Sequence, residues 1–190
     1  MNHILIMGPP GAGKGTQAAV LAGRYAIPTI STGVIFRTNV RDRTALGEIS
    51  QQYLDAGEYV PDAITNEMVR ERLLAPDCAR GFLLDGYPRT LDQVSALDTI
   101  LADARQALDL VLVLDVDEDV LVSRLVRRAA IEQRTDDTEA VIRRRQAVYR
   151  AETAPLIAEY AGRGIVVTVD GDGSVDEVAA RVSEALGLHV

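Results

Sequence analysis

The sequence predicts an α/β fold, a doubly wound parallel sheet with helices on both faces. Five short apolar runs recur along the 190 residues, with helix-like stretches between them: His3–Met7, Pro28–Ile30, Phe82–Leu84, Leu110–Val116 and Ile165–Val169. These runs are continuously apolar rather than alternating, which is typical of strands buried on both faces of a parallel sheet. In such sheets ligands bind beyond the carboxyl ends of the strands, and the motifs described below follow strands there.

The composition fits one ordinary domain spanning residues 1–190. Apolar residues make up 47% of the chain and charged residues 25%, and the net charge is −8. This acidic balance disfavours nucleic acids and anionic membranes as partners. A single cysteine, Cys78, excludes an intramolecular disulfide and a cysteine-based zinc site. No apolar run is long enough to span a bilayer and no charged leader precedes the first strand, so we expect a cytoplasmic protein without a signal peptide.

The first strand leads into a glycine-rich loop and then a helix-like segment over residues 18–25. The loop reads Gly8-Pro9-Pro10-Gly11-Ala12-Gly13-Lys14-Gly15-Thr16. Strand, glycine loop and helix together are the context of a Walker-type phosphate loop, in which backbone N–H groups and the helix N-terminus attract anions. Lys14 is the only lysine of the chain and supplies a full positive charge. Gly15 occupies the place where the Walker pattern has Ser or Thr, so Thr16 becomes the candidate hydroxyl ligand of magnesium.

Two stretches interrupt the alternation of strands and helices. Residues 31–60 carry a helical pattern and polar turns but no buried strand, which predicts a small helical insertion. Residues 127–137 are polar and arginine-rich without an apolar period, between helix-like segments at 118–126 and 139–150. A surface segment of this kind is typical of a lid, or else of a solvated connection.

A second motif, Asp85-Gly86-Tyr87-Pro88-Arg89, follows the third apolar run. A carboxylate at the end of a strand beside a phosphate loop can hold magnesium through water, so Asp85 is the candidate metal ligand. Arg89 is then placed to bind a second phosphate group. Asp115 also ends an apolar run and is a rival ligand, but no comparable turn follows it.

Arginines are concentrated around the polar segment at 127–137. Arg124 and Arg128 lie four residues apart on one face of a predicted helix, Arg134 lies within the segment, and Arg145 lies on the helix that follows. Arginines that converge on one cavity suit phosphoryl transfer, in which charge on the transferred group must be neutralised. Arg143 and Arg144 are expected to be solvated surface residues. The pair Asp136-Asp137 is expected either to pair with these arginines or to cap the next helix.

The chain resembles the adenylate kinases over essentially its whole length. The resemblance rests on four segments that occur in the family's order: Gly8 to Gln17, Ser31-Thr32-Gly33, Asp85 to Arg89 and Thr153-Ala154-Pro155-Leu156. It implies reversible phosphoryl transfer from ATP to AMP with Mg²⁺, giving two ADP. It also implies a monomer with a P-loop NTPase-type sheet of five parallel strands, an AMP-binding insertion at 31–60 and a short lid over ATP at 127–137 that has no zinc site.

The resemblance also assigns roles by position. Residues expected to bind ATP are Gly11, Ala12, Gly13, Lys14, Gly15, Thr16, Arg128 and Gly173. Residues expected to bind AMP are Thr32, Arg37, Glu58, Tyr59, Val60, Gly86, Tyr87, Pro88, Arg89, Gln93, Arg134 and Arg145. Residues expected to be catalytic are Lys14, Arg89, Arg124, Arg128, Arg134 and Arg145. Arg127 stands where glycine is expected in the family, which predicts a stiffer hinge of the lid.

Two alternatives remain open at this point. A UMP or CMP kinase of the same fold usually has alanine at the position of Thr32 and asparagine at that of Gln93, so the sequence favours AMP. A nucleotide-hydrolysing switch protein is the other alternative. Its guanine-specific form is excluded, because the Asn-Lys-x-Asp signature needs a second lysine.

Overall fold

A computed structural model describes residues 2–118, 120–125 and 138–187, and its centre is a five-stranded parallel sheet. The strands are β1 (His3–Met7), β2 (Thr29–Ser31), β3 (Phe82–Asp85), β4 (Leu110–Asp115) and β5 (Val166–Asp170). Each of the five predicted strands is therefore confirmed, with ends that differ by one residue at most. The spatial order is β2-β3-β1-β4-β5, so the chain fills one side of β1 and then crosses to the other, as in a doubly wound fold.

Helices cover both faces of this sheet. They are α1 (Lys14–Tyr25), α2 (Thr32–Arg41), α3 (Ala45–Ala56), α4 (Asp62–Leu73), α5 (Leu91–Asp103), α6 (118 and 120–125), α7 (Glu139–Val148), α8 (Leu156–Gly162) and α9 (Val175–Ala185). A 3-10 turn (Pro76–Cys78) precedes β3, and a π-helical turn (Tyr149–Thr153) follows α7. None of the helices in these ranges is long and apolar enough to cross a membrane.

The helix boundaries follow from capping chemistry. The segment predicted at 18–25 begins four residues earlier, because Gly13 adopts a left-handed conformation at the N-cap and the helix starts at Lys14. The Ser174 side chain and the Glu177 side chain form a capping box at the start of α9. Thr138 caps α7 by accepting a hydrogen bond from the Val141 N–H at 3.4 Å, and the Asp136-Asp137 pair lies outside the described residues.

The core has two apolar layers, one on each face of the sheet. In β1, Ile4 and Ile6 pack on one face against α1 and α9. Leu5 and Met7 pack on the other face against α5 and α8. All four side chains are at most 4% exposed, which explains why the strand reads as continuously apolar. This rigid sheet positions the loops that follow its strands.

The segment 31–60, predicted as a helical insertion, contains α2 and α3, which pack against each other. The two helices approach so closely that a Cβ at Gly47 would overlap the carbonyl oxygen of Asn39. That oxygen belongs to the backbone and cannot rotate away. Glycine at position 47 is therefore required by packing.

Replacing Gly47 by alanine is expected to lower the free energy of unfolding by about 1–3 kcal/mol, through overpacking. The matched control is Gly23→Ala in α1, where a Cβ meets no atom within 4 Å. That change is expected to raise the free energy of unfolding by about 0.5–1 kcal/mol, because alanine favours a helix over glycine. Urea unfolding of both variants measures the difference, and equal stabilities would contradict this account of the α2–α3 contact.

Candidate active site

The carboxyl ends of β1, β2 and β3 lie together at one edge of the sheet. In the strand register, Ile6 and Ser31 both pair with Asp85. The glycine loop, the start of α2 and the segment 85–89 follow directly from these strand ends. The three motifs singled out in the sequence therefore converge in space.

The glycine loop fits tightly between β4 and α1. A Cβ at Gly8 would lie 2.7 Å from the carbonyl oxygen of Leu114, so only glycine fits there. Gly13 has a φ of 86°, in the left-handed region that favours glycine. Lys14 Nζ donates hydrogen bonds to the carbonyls of Gly8 and Pro9, at 2.8 and 2.9 Å. The ammonium group therefore lies against the loop, beside the N-terminus of α1, where an anion is stabilised.

Asp85 has the surroundings of a carboxylate that can hold magnesium through water. It ends β3 and accepts a hydrogen bond from Ser31 Oγ at 3.2 Å, and a Cβ at Gly15 would lie 3.8 Å from its Oδ2. Magnesium is usually held by one or two carboxylates together with water and substrate phosphates, so this donor set fits the ion. Asp115 is exposed at the end of β4. No cluster of three His, Cys, Asp or Glu side chains suited to a metal occurs among the described residues.

Arg89 is fixed at its backbone and at its Nε. Its backbone N–H donates to Gln93 Oε1 at 2.7 Å, and its Nε donates to the Gly86 carbonyl at 2.7 Å. The same carbonyl accepts a hydrogen bond from Thr32 Oγ1 at 2.8 Å. Within the described part of the chain, neither Nη of Arg89 has a hydrogen-bond or ion-pair partner. Both are therefore available to bind an anion as a fork.

Gln93 is buried, with 1% of its surface exposed. Its Nε2 donates to Asp62 Oδ1 at 2.6 Å, while its Oε1 accepts from Arg89. Thr90 Oγ1 donates to the other oxygen of Asp62 at 2.7 Å. The hydrogen bonds to Asp62 and Arg89 orient the Gln93 amide, and its second N–H remains to bind a ligand.

Two tyrosines at the site are neutral phenols at physiological pH. Tyr87 donates its hydroxyl proton to Asn66 Oδ1 at 2.8 Å, and burial raises the pKa of Tyr87 well above its ordinary value. Burial, together with the nearby Tyr59 and Asp115, raises the pKa of Tyr149 to about 12. Neither phenol is therefore a base at neutral pH.

The loop after β5 closes the opposite end of the site. Arg124, from α6, donates to the carbonyls of Gly171 and Gly173, at 3.0 and 3.1 Å. Arg181, from α9, donates to the carbonyls of Asp170 (2.6 Å) and Asp172. The four successive carbonyls of residues 170–173 thus accept hydrogen bonds from Arg181 and Arg124 in turn, and these contacts fix the loop. Arg124 was predicted to be catalytic, and in this structure its guanidinium is hydrogen-bonded to the loop after β5.

The glycine loop, Asp85, Arg89, Gln93 and the loop after β5 all contribute to the lining of one cavity of about 640 Å³. Among the described residues that line it, Asp85 is the one acidic side chain. Five are basic: Lys14, Arg37, Arg89, Arg124 and Arg145. In a chain with a net charge of −8, this local excess of positive charge favours a polyanionic ligand.

Most of the predicted binding residues line this cavity. From the set assigned to ATP they are Gly11, Ala12, Gly13, Lys14, Gly15, Thr16 and Gly173. From the set assigned to AMP they are Thr32, Arg37, Tyr59, Val60, Gly86, Tyr87, Pro88, Arg89, Gln93 and Arg145. Arg128, Arg134 and the predicted lid at 127–137 lie outside the described residues.

Glu58 is not among the residues that line the cavity. Its carboxylate accepts a hydrogen bond from Arg144 Nε at 2.6 Å. Arg144 is an exposed surface residue, as expected from the sequence, and its ion pair with Glu58 joins the segment after α3 to α7. Arg143 is 79% exposed in its side chain, as expected, and pairs with Glu139 one turn away.

Two residues that support the site were given no role from the sequence. Gln146, buried in α7, donates from Nε2 to the Pro10 carbonyl at 2.9 Å and holds this helix against the glycine loop. Thr153 lines the cavity from the π-helical turn. A polar residue on the buried face of a helix indicates that its side chain has a hydrogen-bond partner, and this pattern could have singled out Gln146. The partner itself lies 136 residues away and cannot be identified from periodicity.

Comparison with known proteins gives one consistent result. The family model described as adenylate kinase matches residues 6–165. An adenylate kinase of Kocuria rhizophila is 58% identical over 186 residues, which cover 98% of this chain and 99% of the relative. One of a Nocardioides species is 57% identical, with 98% and 97% covered. One of Thermobifida fusca is 51% identical, with 97% of each chain covered.

Proposed function

The chain belongs to the adenylate kinase family of phosphotransferases, and we propose that it transfers a phosphoryl group reversibly from ATP to AMP, giving two ADP. The observation that supports this most strongly is one cavity that is lined by the phosphate loop and by five basic side chains, Lys14 and Arg89 among them. Two phosphate-binding regions in one cavity suit a reaction between two nucleotides. Binding of both nucleotides in this cavity would bring their phosphates next to each other and away from bulk water.

On the ATP side, the glycine loop and the N-terminus of α1 bind the phosphates. Lys14 leaves the Gly8 and Pro9 carbonyls and places its ammonium on the terminal phosphate groups. The loop fixed by Arg124 and Arg181 presents Gly173 to the adenine. Magnesium, when bound through water to Asp85 with Thr16 as a second candidate ligand, adds positive charge at the phosphates.

On the AMP side, Arg37 and Arg89 bind the phosphate. The Nη atoms of Arg89 form a fork that fits two phosphate oxygens. The amide of Gln93 contacts the adenine edge, and Thr32 lies beside it and orients Gly86. During transfer, Lys14, Arg89 and Arg145 neutralise charge on the transferred group, together with Arg124, Arg128 and Arg134.

We further propose that residues 127–137 form the lid over ATP and that the protein acts as a monomer in the cytoplasm. No general base is required in this mechanism, because phosphoryl transfer depends mostly on positioning and charge stabilisation. The raised pKa values of Tyr87 and Tyr149 agree with this, since both phenols stay protonated near pH 7.

The direct test supplies MgATP with AMP, GMP, CMP or UMP and measures ADP formation. We expect AMP to be the preferred acceptor. Preference for CMP or UMP would support the pyrimidine kinase alternative. Hydrolysis of ATP without transfer to any of the four would support the switch protein.

Replacing Gln93 by alanine is expected to reduce the preference for AMP over CMP about tenfold or more, because a site built for specific hydrogen bonds discriminates through them. The same change frees the Arg89 N–H and Asp62, so some loss for all acceptors is also expected. Gln52→Ala, at an exposed position of α3, is the control. Ratios of kcat/KM measure the preference, and an equal loss for all four acceptors would make Gln93 purely structural.

A further inference from the structure

Tyr59 contacts the Arg89 side chain directly. It lies in the segment between α3 and α4, at the end of the insertion, and lines the cavity. The Arg89 Cζ lies 4.8 Å from the centroid of the Tyr59 ring, which is within the range of a cation–π contact. The ring therefore supports the guanidinium group whose two Nη atoms face no other partner in the described part of the chain.

The Tyr59 hydroxyl contacts the same arginine through Thr153. Thr153 Oγ1 donates to the Arg89 carbonyl at 2.9 Å and lies 2.8 Å from the Tyr59 hydroxyl. A threonine hydroxyl has one proton, which is used on the Arg89 carbonyl. Tyr59 is therefore the donor to Thr153, and the three residues form a directed chain. Tyr59 thus restrains both the guanidinium and the backbone of Arg89.

The π-helical turn brings Thr153 to this position. Thr153 is the last residue of the turn that continues α7, and it is 5% exposed. Turns of this type occur often at functional sites, because the extra residue redirects side chains. The nearby ion pair between Glu58 and Arg144 joins the same part of the insertion to α7. Tyr59 therefore lies where the insertion, α7 and the turn meet.

An arginine side chain loses much conformational freedom when it binds a ligand in one geometry. If neighbouring residues already restrict the arginine side chain in the empty site, less conformational entropy is lost on binding, and the affinity for phosphate is higher. We propose that Tyr59 is a positioning residue for the monophosphate site, which orders the Arg89 guanidinium through its ring and the Arg89 backbone through Thr153. This inference rests on the proposed function, since it takes the phosphate of AMP as the ligand of Arg89.

The test compares two changes of Tyr59 by steady-state kinetics with AMP and ATP varied separately. Tyr59→Leu removes the ring and is expected to raise the KM for AMP about 3- to 10-fold, as expected for one cation–π contact, with the KM for ATP within about 2-fold of the parent. Tyr59→Phe keeps the ring and loses only the hydroxyl that donates to Thr153, so it is expected to raise the KM for AMP by less than Tyr59→Leu does. Tyr53→Leu, at a half-buried position of α3 outside the cavity lining, is the matched control and should change neither KM.

A double-mutant cycle separates positioning from a structural role. If Tyr59 acts through Arg89, then Tyr59→Leu adds no further loss of AMP affinity, measured by calorimetry, in an Arg89→Ala background. The same fold loss in both backgrounds, or an equal rise in the KM for AMP and ATP, would overturn the inference. AMP turnover by the parent protein reports on the proposed function separately, because it fails only if AMP is not the acceptor.

Discussion

Lys14→Met lowers turnover at least ~10²-fold in our account, and the fold is retained. One preorganised charge at the transferred phosphoryl group typically contributes that much. The fold should survive because the Lys14 ammonium donates to the Gly8 and Pro9 carbonyls of an open loop, and water can solvate these carbonyls in its absence. The measurement is kcat with MgATP and AMP, alongside thermal unfolding of the variant.

Lys14→Arg is the control that keeps the charge and changes its shape. A planar guanidinium does not replace a compact ammonium at a phosphate loop, so we expect most of the loss to remain. Because Lys14 is the only lysine, an amine-directed reagent should label it and the N-terminus alone, and ATP should protect it. Turnover of Lys14→Met close to that of the parent, or an unfolded variant, would contradict the role of the loop.

Arg89→Ala is expected to lower kcat/KM for AMP by about 10²–10³-fold, while the KM for ATP stays within about 2-fold. The guanidinium is held by the Gly86 carbonyl, and both Nη atoms are available to a phosphate group. Its loss removes a charge-assisted fork that is used in both binding and transfer. Initial rates with each nucleotide varied in turn distinguish the two substrates.

Arg143→Ala is the matched control for this prediction. Arg143 also belongs to the basic part of the sequence, but it is exposed and pairs with Glu139 on α7. Its removal should leave both kinetic constants unchanged, as expected for a surface ion pair. A loss of similar size in both variants would mean that general positive charge, and not the position of Arg89, determines the rate.

The fold could be predicted because burial on both faces leaves a simple pattern. His3–Met7 and Leu110–Val116 read as apolar runs, and the structure places the strands that they form, β1 and β4, side by side in the sheet. Strand ends were less predictable, since Ser31 and Asp85 are polar and yet belong to their strands through backbone pairing. The start of α1 at Lys14 depends on the conformation of Gly13, which an apolar pattern does not report.

The phosphate-binding residues of the site could also be predicted from the sequence, because a phosphate loop is formed by consecutive residues. Gly8 to Lys14 are contiguous, and strand topology then brings Asp85 and Arg89 to the same edge. The supporting contacts were not accessible, because they join distant positions. Gln146 binds the carbonyl of Pro10, and Thr153 binds that of Arg89, over separations of 136 and 64 residues. Neither partner can be chosen without the packing of α7.

In the proposed reaction, one cavity holds both nucleotides with their phosphates in contact. The most direct measurement is calorimetric binding of an analogue that joins two adenosines through five phosphates. We expect one analogue per chain, displaced by ATP and by AMP, with weaker binding in both Lys14→Met and Arg89→Ala. Two analogues per chain, or displacement by ATP with no effect of AMP, would show that the two phosphate-binding regions do not form a common site.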